Sequence, residues 1–399
     1  MLFNFISRTT STPFRPCIKL QLCRHGLLSP SSYQSSLFTS KSSHSFTVTY
    51  LINSCGVSPQ SANLASRHLD LSKSPNTADS VLAFFNKQGF TKSQVSKVIC
   101  RHPRTLLCDP EKTLLPNFQI LNSIGLSSTD LVSIVTARPK MMLNTKFQET
   151  ALLCIDYLRT VLGSDDKVIN AIKRFPLALT YDLQVYAAEN IQMLRELGVP
   201  DSSIKLMLAQ QPRTFFTSAD RFRKVVRDVK EMGFDPSKFR FLSAIHARRA
   251  MSKSTWDKKV ELYEKWGWSK DEIFMAFEKY PGCMMASMDK ITRILDFLVN
   301  TMGWEASYIV QWPIVICFSL EKRVIPRCLV YQYLAEKGLI EEKDDFCFTK
   351  WLMYSETKFL KWVTKRYEEE APEMLKLYQK HLNEANGSTT SILRNRDVI

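Results

Sequence analysis

The chemistry this chain could do is concentrated in its cations. Between Arg221 and Lys259 stand 12 Lys or Arg residues against four acids, Asp228, Glu231, Asp235 and Asp257. That is a local charge of +8 in 39 residues of a chain whose net charge is +15. Such a density of guanidinium and ammonium groups attracts phosphate rather than breaking bonds. Arg223 and Lys224 each lie about one helical turn before Arg227 on one stretch, and Arg248 and Arg249 are adjacent. A solvated helix face accounts for any single lysine, but the cluster reads as the lining of a groove. The candidate contacts to nucleic acid are Arg213, Arg221, Arg223, Lys224, Arg227, Arg248, Arg249, Lys253, Lys258 and Lys259. A weaker series, Arg101, Arg138, Arg174 and Arg213, stands beside prolines where helices end, and there the helix dipole alone explains a cation.

Other chemistries find little support. The ten cysteines and six histidines form no C-x-x-C and no His-x-x-x-His pair, so zinc is not expected, nor any other cofactor. Cys100, Cys154, Cys317 and Cys328 fall in helical apolar stretches and read as small core residues. His102 and His246 have no acid in register, and neither a Gly-rich phosphate loop nor a nucleophile elbow occurs, so an enzyme is not expected. There is also no apolar run of 18 residues to cross a membrane.

What positions the cations is a repeat. Gly56, Gly89, Gly125, Gly163, Gly198, Gly233, Gly267, Gly303 and Gly338 recur at steps of 33 to 38 residues and account for nine of the chain's 12 glycines. An apolar residue follows all but Gly163, and an N-capping residue comes next, as Ser58, Thr91, Ser127, Asp165, Asp235 or Ser269. Thr91 with Gln94, and Ser269 with Glu272, have capping-box spacing. Pro103, Pro139, Pro176, Pro212, Pro281 and Pro313 then end a second helix. Three residues past each proline is an apolar anchor (Leu106, Met142, Leu179, Phe215, Met284, Ile316). Six past it is a cap for the next helix (Asp109, Thr145, Asp182, Ser218, Ser287, Ser319). One unit has Arg248 in the proline slot, with Met251 and Ser254 in the anchor and cap positions. Each unit is therefore helix, glycine turn, helix, proline turn. Units that cannot bury their apolar faces alone must stack.

The expected fold is all-α: a right-curving α-solenoid of about nine helical repeats of about 35 residues with a C-terminal helical cap. Residues 1–45 are rich in serine, and residues 1–69 carry six Lys or Arg and no acid, which reads as an organelle transit peptide on residues 1–45. Arg8 and Arg15 on an apolar start lean toward a mitochondrion, while the serines from Ser29 to Ser45 would also suit a chloroplast. The array is expected over 46–340, the cap over 341–385 and a loose tail over 386–399.

The proline followed by an apolar residue, in RHPRTLL, ARPKMML, RFPLALT and QQPRTFF, resembles the mTERF family of mitochondrial transcription termination factors, which plants also use in plastids. The closing run FTKWLMYSETKFLKWVTKRYEEEAPEMLKLY resembles that family's cap, with Ser355, Phe359, Tyr367, Pro372 and Tyr378 in matching places, and TVTYLINSCGVSPQSA resembles the start of mature plant members. The resemblance implies a half-ring superhelix that holds a duplex in a basic concave groove and acts in transcription termination, transcription regulation or intron splicing. Double-stranded DNA is thus the first expected partner of a monomeric protein, with structured or intron RNA as the alternative. A pentatricopeptide array is disfavoured by the proline inside each unit, and a protein-binding scaffold would not need the basic cluster.

Overall fold

The computed structural model describes residues 44–340 and 351–396, and among them every regular element is a helix, with no strand. Most of the expected transit peptide, residues 1–43, lies outside the described residues, as do residues 341–350 of the expected cap. All nine register glycines have positive φ, from 67 to 87°. At Gly163 this closes the helix Phe147–Leu162, whose C-cap it forms in the left-handed conformation.

The local signals read from sequence act as the chain's physics requires. Both capping boxes form, at Thr91–Gln94 and Ser269–Glu272. Asp109, Asp182, Ser287 and Ser319 each accept main-chain N–H groups of the following turn, and Pro110 takes the first position after Asp109. The six prolines each open a short 3-10 turn, from Pro103–Leu107 to Pro313–Cys317. The anchor three residues on is buried to 1% exposure or less in every case. These turns therefore plug the core between neighbours, and Pro139, Pro212, Pro281 and Pro313 are themselves buried.

Some local expectations differ. Thr145 does not cap; the N-cap position falls to Lys146, which makes no side-chain cap bond, and Asn144 Oδ1 accepts the Lys146 N–H at 3.1 Å in a turn before the helix. Asp165 is the first residue of its helix rather than the cap. Where Arg248 replaces proline, the second helix runs unbroken through Arg249, and the next begins two residues early with Ser252, not Ser254, as its cap. Without the ring to block the preceding turn, nothing stops the helix. Cys154 and Cys328 are core residues, but Cys317 is half-buried and Cys100 exposed. Three first helices open with wide turns, Pro110–Leu114, Gln184–Ala188 and Leu320–Val324; in the first and last, Leu115 and Ile325 donate five residues back. Pro116 and Pro326 follow at once, and a proline that cannot donate explains the displaced bond.

Second helices pack side by side along the array: Lys92–Arg101 on Ser128–Ala137, Asp165–Arg174 on Asp201–Gln210, then Phe239–Arg249, then Lys270–Lys279. First helices form the other layer, with Glu189–Glu196 against Ala219–Glu231 and Lys253–Lys265 against Met288–Asp296. A recurring polar stitch ties each first helix to the proline turn ahead. Asn117 donates to Met142 O at 2.8 Å, Thr150 to Leu179 O at 2.9 Å, and Asn190 to Phe215 O and Thr217 O at 2.8 and 2.7 Å. Lys290 donates to Cys317 O at 2.7 Å, and buried Arg327 donates to the carbonyls of Trp351, Leu352 and Tyr354. Each satisfies main-chain acceptors that the irregular turn leaves open inside the core. Arg327 also stacks 4.6 Å over Phe359 and so seats the cap. In the cap, Ser355 caps Glu356–Arg366, and Phe359, Tyr367 and Tyr378 are buried. The last helix, Ala371–Arg396, runs through the boundary expected at residue 386.

Candidate nucleic-acid interface

The proline turns follow the ends of the second helices and form a wall, interrupted where Arg248 replaces a proline; Pro103–Leu107 packs on Pro139–Leu143, and Pro281–Met285 on Pro313–Cys317. Arg101 reaches the Thr136 carbonyl of the next unit at 2.6 Å, and Asn170 the Ala209 carbonyl at 3.3 Å. Cations decorate this wall. Arg104 and Lys140, from consecutive turns, both act on His102, whose pKa is lowered by burial first and by Lys140 and Arg104 next.

The wall is most basic at its middle. A cavity of about 510 Å³ is lined by Arg174, Arg213, Arg221 and Arg249, with His246, Gln210, Gln211 and Met285. Each arginine arrives for a local reason. Arg174 ends the helix Asp165–Arg174, and Arg213 follows the proline that opens its turn. Arg221 lies in the first turn of Ala219–Glu231, and Arg249 is the last residue of the helix that lacks a terminating proline. Three are held by neutral partners. Arg174 Nε donates to Asn170 Oδ1 at 3.3 Å, Arg221 Nη2 to Arg249 O at 3.4 Å, and Arg249 Nε to Thr217 Oγ1 at 3.0 Å.

No carboxylate lines the cavity. Burial, then Arg213 and Arg221, lower the Arg249 pKa to about 10, so it remains charged at neutral pH. Burial, then Arg249 and Arg213, lower the His246 pKa to about 4, leaving a neutral ring whose Nδ1 lies 2.6 Å from Thr214 Oγ1. Preorganised donors around an uncompensated positive hollow suit an anion.

The rest of the predicted cluster divides. Arg223 is neutralised by Glu189 at 2.9 Å and Asp220 at 3.0 Å. Arg248 turns the other way from Arg249, pairing with Asp228 at 3.6 Å and lying 5.7 Å over the Trp256 ring. Lys259 is a correction: it is 5% exposed, and its ammonium donates to Met284 O at 2.6 Å and Ala286 O at 2.7 Å. It is another inter-unit stitch, not a groove contact. Lys224, Arg227, Lys253 and Lys258 are exposed and form no ion pair among the described residues. Arg174 was assigned only to the helix dipole, yet it joins the cavity. Its position two residues before a repeat proline was the available signal. Among the described residues no group of three or more His, Cys, Asp or Glu could hold a metal, and no helix is long and apolar enough to cross a membrane.

Comparison with known proteins agrees with this architecture. The chain is 21% identical over 268 residues to the Arabidopsis thaliana protein named transcription termination factor MTERF8, chloroplastic, a match covering 58% of this chain and 52% of that protein. It is 19% identical over 263 residues to transcription termination factor MTERF15, mitochondrial, of the same plant, covering 63% of this chain and 56% of the relative. The mitochondrial factor MTEF18 matches at 21% over 269 residues, covering 65% and 43%. The chain thus spans about half the length of the curated relatives it matches. The mTERF family model matches residues 82–249 and 187–360, most of the stacked array and the start of its cap, and the chain belongs to the mTERF family.

Proposed function

We propose that this protein binds nucleic acid along the wall of proline turns, with double-stranded DNA as its partner, and regulates transcription in an organelle. The observation that carries the reading is the arginine-lined cavity, where four guanidinium groups converge without a carboxylate. The printed names of the relatives, transcription termination factors of chloroplast or mitochondrion, agree with a role in organellar transcription. The mitochondrion is the preferred compartment, from the basic, acid-free start of the sequence, and the chloroplast is the alternative.

The test is the salt dependence of binding. Each phosphate neutralised on duplex DNA contributes roughly 0.9 to the slope of log affinity against log salt. Replacing Arg174, Arg213 and Arg221 together by Gln should flatten that slope by up to about three units, weaken all duplex sequences alike, and leave the fold intact. An unchanged slope in a folded variant refutes the placement. Tighter binding of structured RNA than of duplex DNA by the wild type would replace DNA as the partner.

A further inference from the structure

The cavity at the centre of the wall differs from an ordinary basic groove in ways that narrow its ligand. A groove that tracks a nucleic-acid backbone meets one negative charge per phosphate and needs cations spaced along it. Here four guanidinium groups face a single hollow. They come from three successive units: Arg174 from one, Arg213 from the next, and Arg221 and Arg249 from the third. Elsewhere in the cluster the fold neutralises two arginines, Arg223 with Glu189 and Asp220 and Arg248 with Asp228, while Arg227 stays exposed on a different helix face. In the cavity it holds them with an amide, a carbonyl and a hydroxyl, which orient the donors without cancelling charge. Mutual repulsion among these groups is relieved by an anion, and more so by one carrying two charges than by a phosphodiester carrying one. The volume, about 510 Å³, is more than a phosphate ion fills and is of the size that holds a small organic ligand. Gln210 and Gln211 supply amides, and Met285, 41% exposed, supplies an apolar surface at the same hollow.

We infer that this cavity is a phosphomonoester site that takes the 5′-phosphorylated terminal nucleotide of a nucleic-acid strand. The inference rests on the nucleic-acid reading above and adds a preference for strand ends to it. Arg174, Arg213, Arg221 and Arg249 bind the terminal phosphate, and Gln210, Gln211 and Met285 lie beside the attached nucleoside.

The experiment compares one duplex with 5′-phosphate or 5′-hydroxyl ends against the full chain. The wild type should bind the phosphorylated form about tenfold more tightly, the effect of one additional charge-assisted contact. Arg174→Gln with Arg221→Gln should bring that ratio to about one, while Arg223→Gln with Lys224→Gln should preserve it. Arg213→Gln, which alters an exposed side chain, serves as the second test should the double variant misfold. Inorganic phosphate and AMP, added separately, identify the source: displacement by AMP at lower concentration than by phosphate supports a terminal nucleotide. Equal displacement would overturn the nucleoside part of the inference. Equal affinity of the wild type for both duplexes overturns the terminal-phosphate site and leaves the proposed function standing. Failure to bind either duplex overturns the proposed function and the strand-end preference with it.

Discussion

Substituting Lys259 by Met separates the stacking scaffold from the binding surface. Lys259 lies within the most basic stretch of the sequence, yet its ammonium is enclosed and donates to the carbonyls of Met284 and Ala286 at 2.6 and 2.7 Å. Methionine keeps most of the length and the apolar stem but leaves both acceptors without this donor. Each hydrogen bond to a charged group contributes about 1.5–3 kcal/mol, and relief of the buried ammonium's desolvation offsets part of the loss. A net destabilisation of about 2–4 kcal/mol follows. Urea unfolding followed by circular dichroism measures it, and amide exchange should locate the loss at the turn Pro281–Met285, since a solenoid couples mainly to its neighbours. The salt slope of nucleic-acid binding should not move. A variant as stable as the wild type to within about 0.5 kcal/mol, with a slope lower by about one unit, would refute the assignment and return Lys259 to the binding surface.

Two further outcomes follow from local geometry. The His246 pKa, lowered from 6.5 to about 4, means the unfolded chain binds this proton before the folded one does. Its stabilising effect is therefore complete above about pH 6.5 and is lost as pH falls toward 4, by up to about 3 kcal/mol, and His246→Gln should flatten the urea midpoint over that window. Gly89 has φ 83° and open space where a Cβ would stand, so Gly89→Ala meets no clash and should cost about 1–2 kcal/mol through backbone conformation alone, measured by thermal unfolding.

Almost all of the scaffold was legible along the chain. A glycine turn, a capping box and a proline turn depend on atoms within about five residues, so Gly89, Thr91 with Gln94, and Pro103 with Leu106 announce themselves locally. The expected caps at Thr145 and Ser254 were lost in local contests, the first to a turn closed by Asn144 and the second to a helix that no proline stopped. The stitches were not legible, because Asn117, Asn190 and Lys259 find their acceptors about 25 residues ahead, across a unit boundary. The same distance governs the charges. Arg248 and Arg249 are neighbours, yet about 100° of helical rotation sends one to Asp228 and Trp256 and the other toward Arg213 and Arg221. Arg223 loses its free charge to Glu189, 34 residues away, and Arg174 gains a role from arginines of the two following units. Caps, turns and apolar spacing are short-range, so the order of residues alone specifies a basic helical array. Only stacking decided which cations remain uncompensated, because a charge is neutralised by whatever the adjacent unit places beside it.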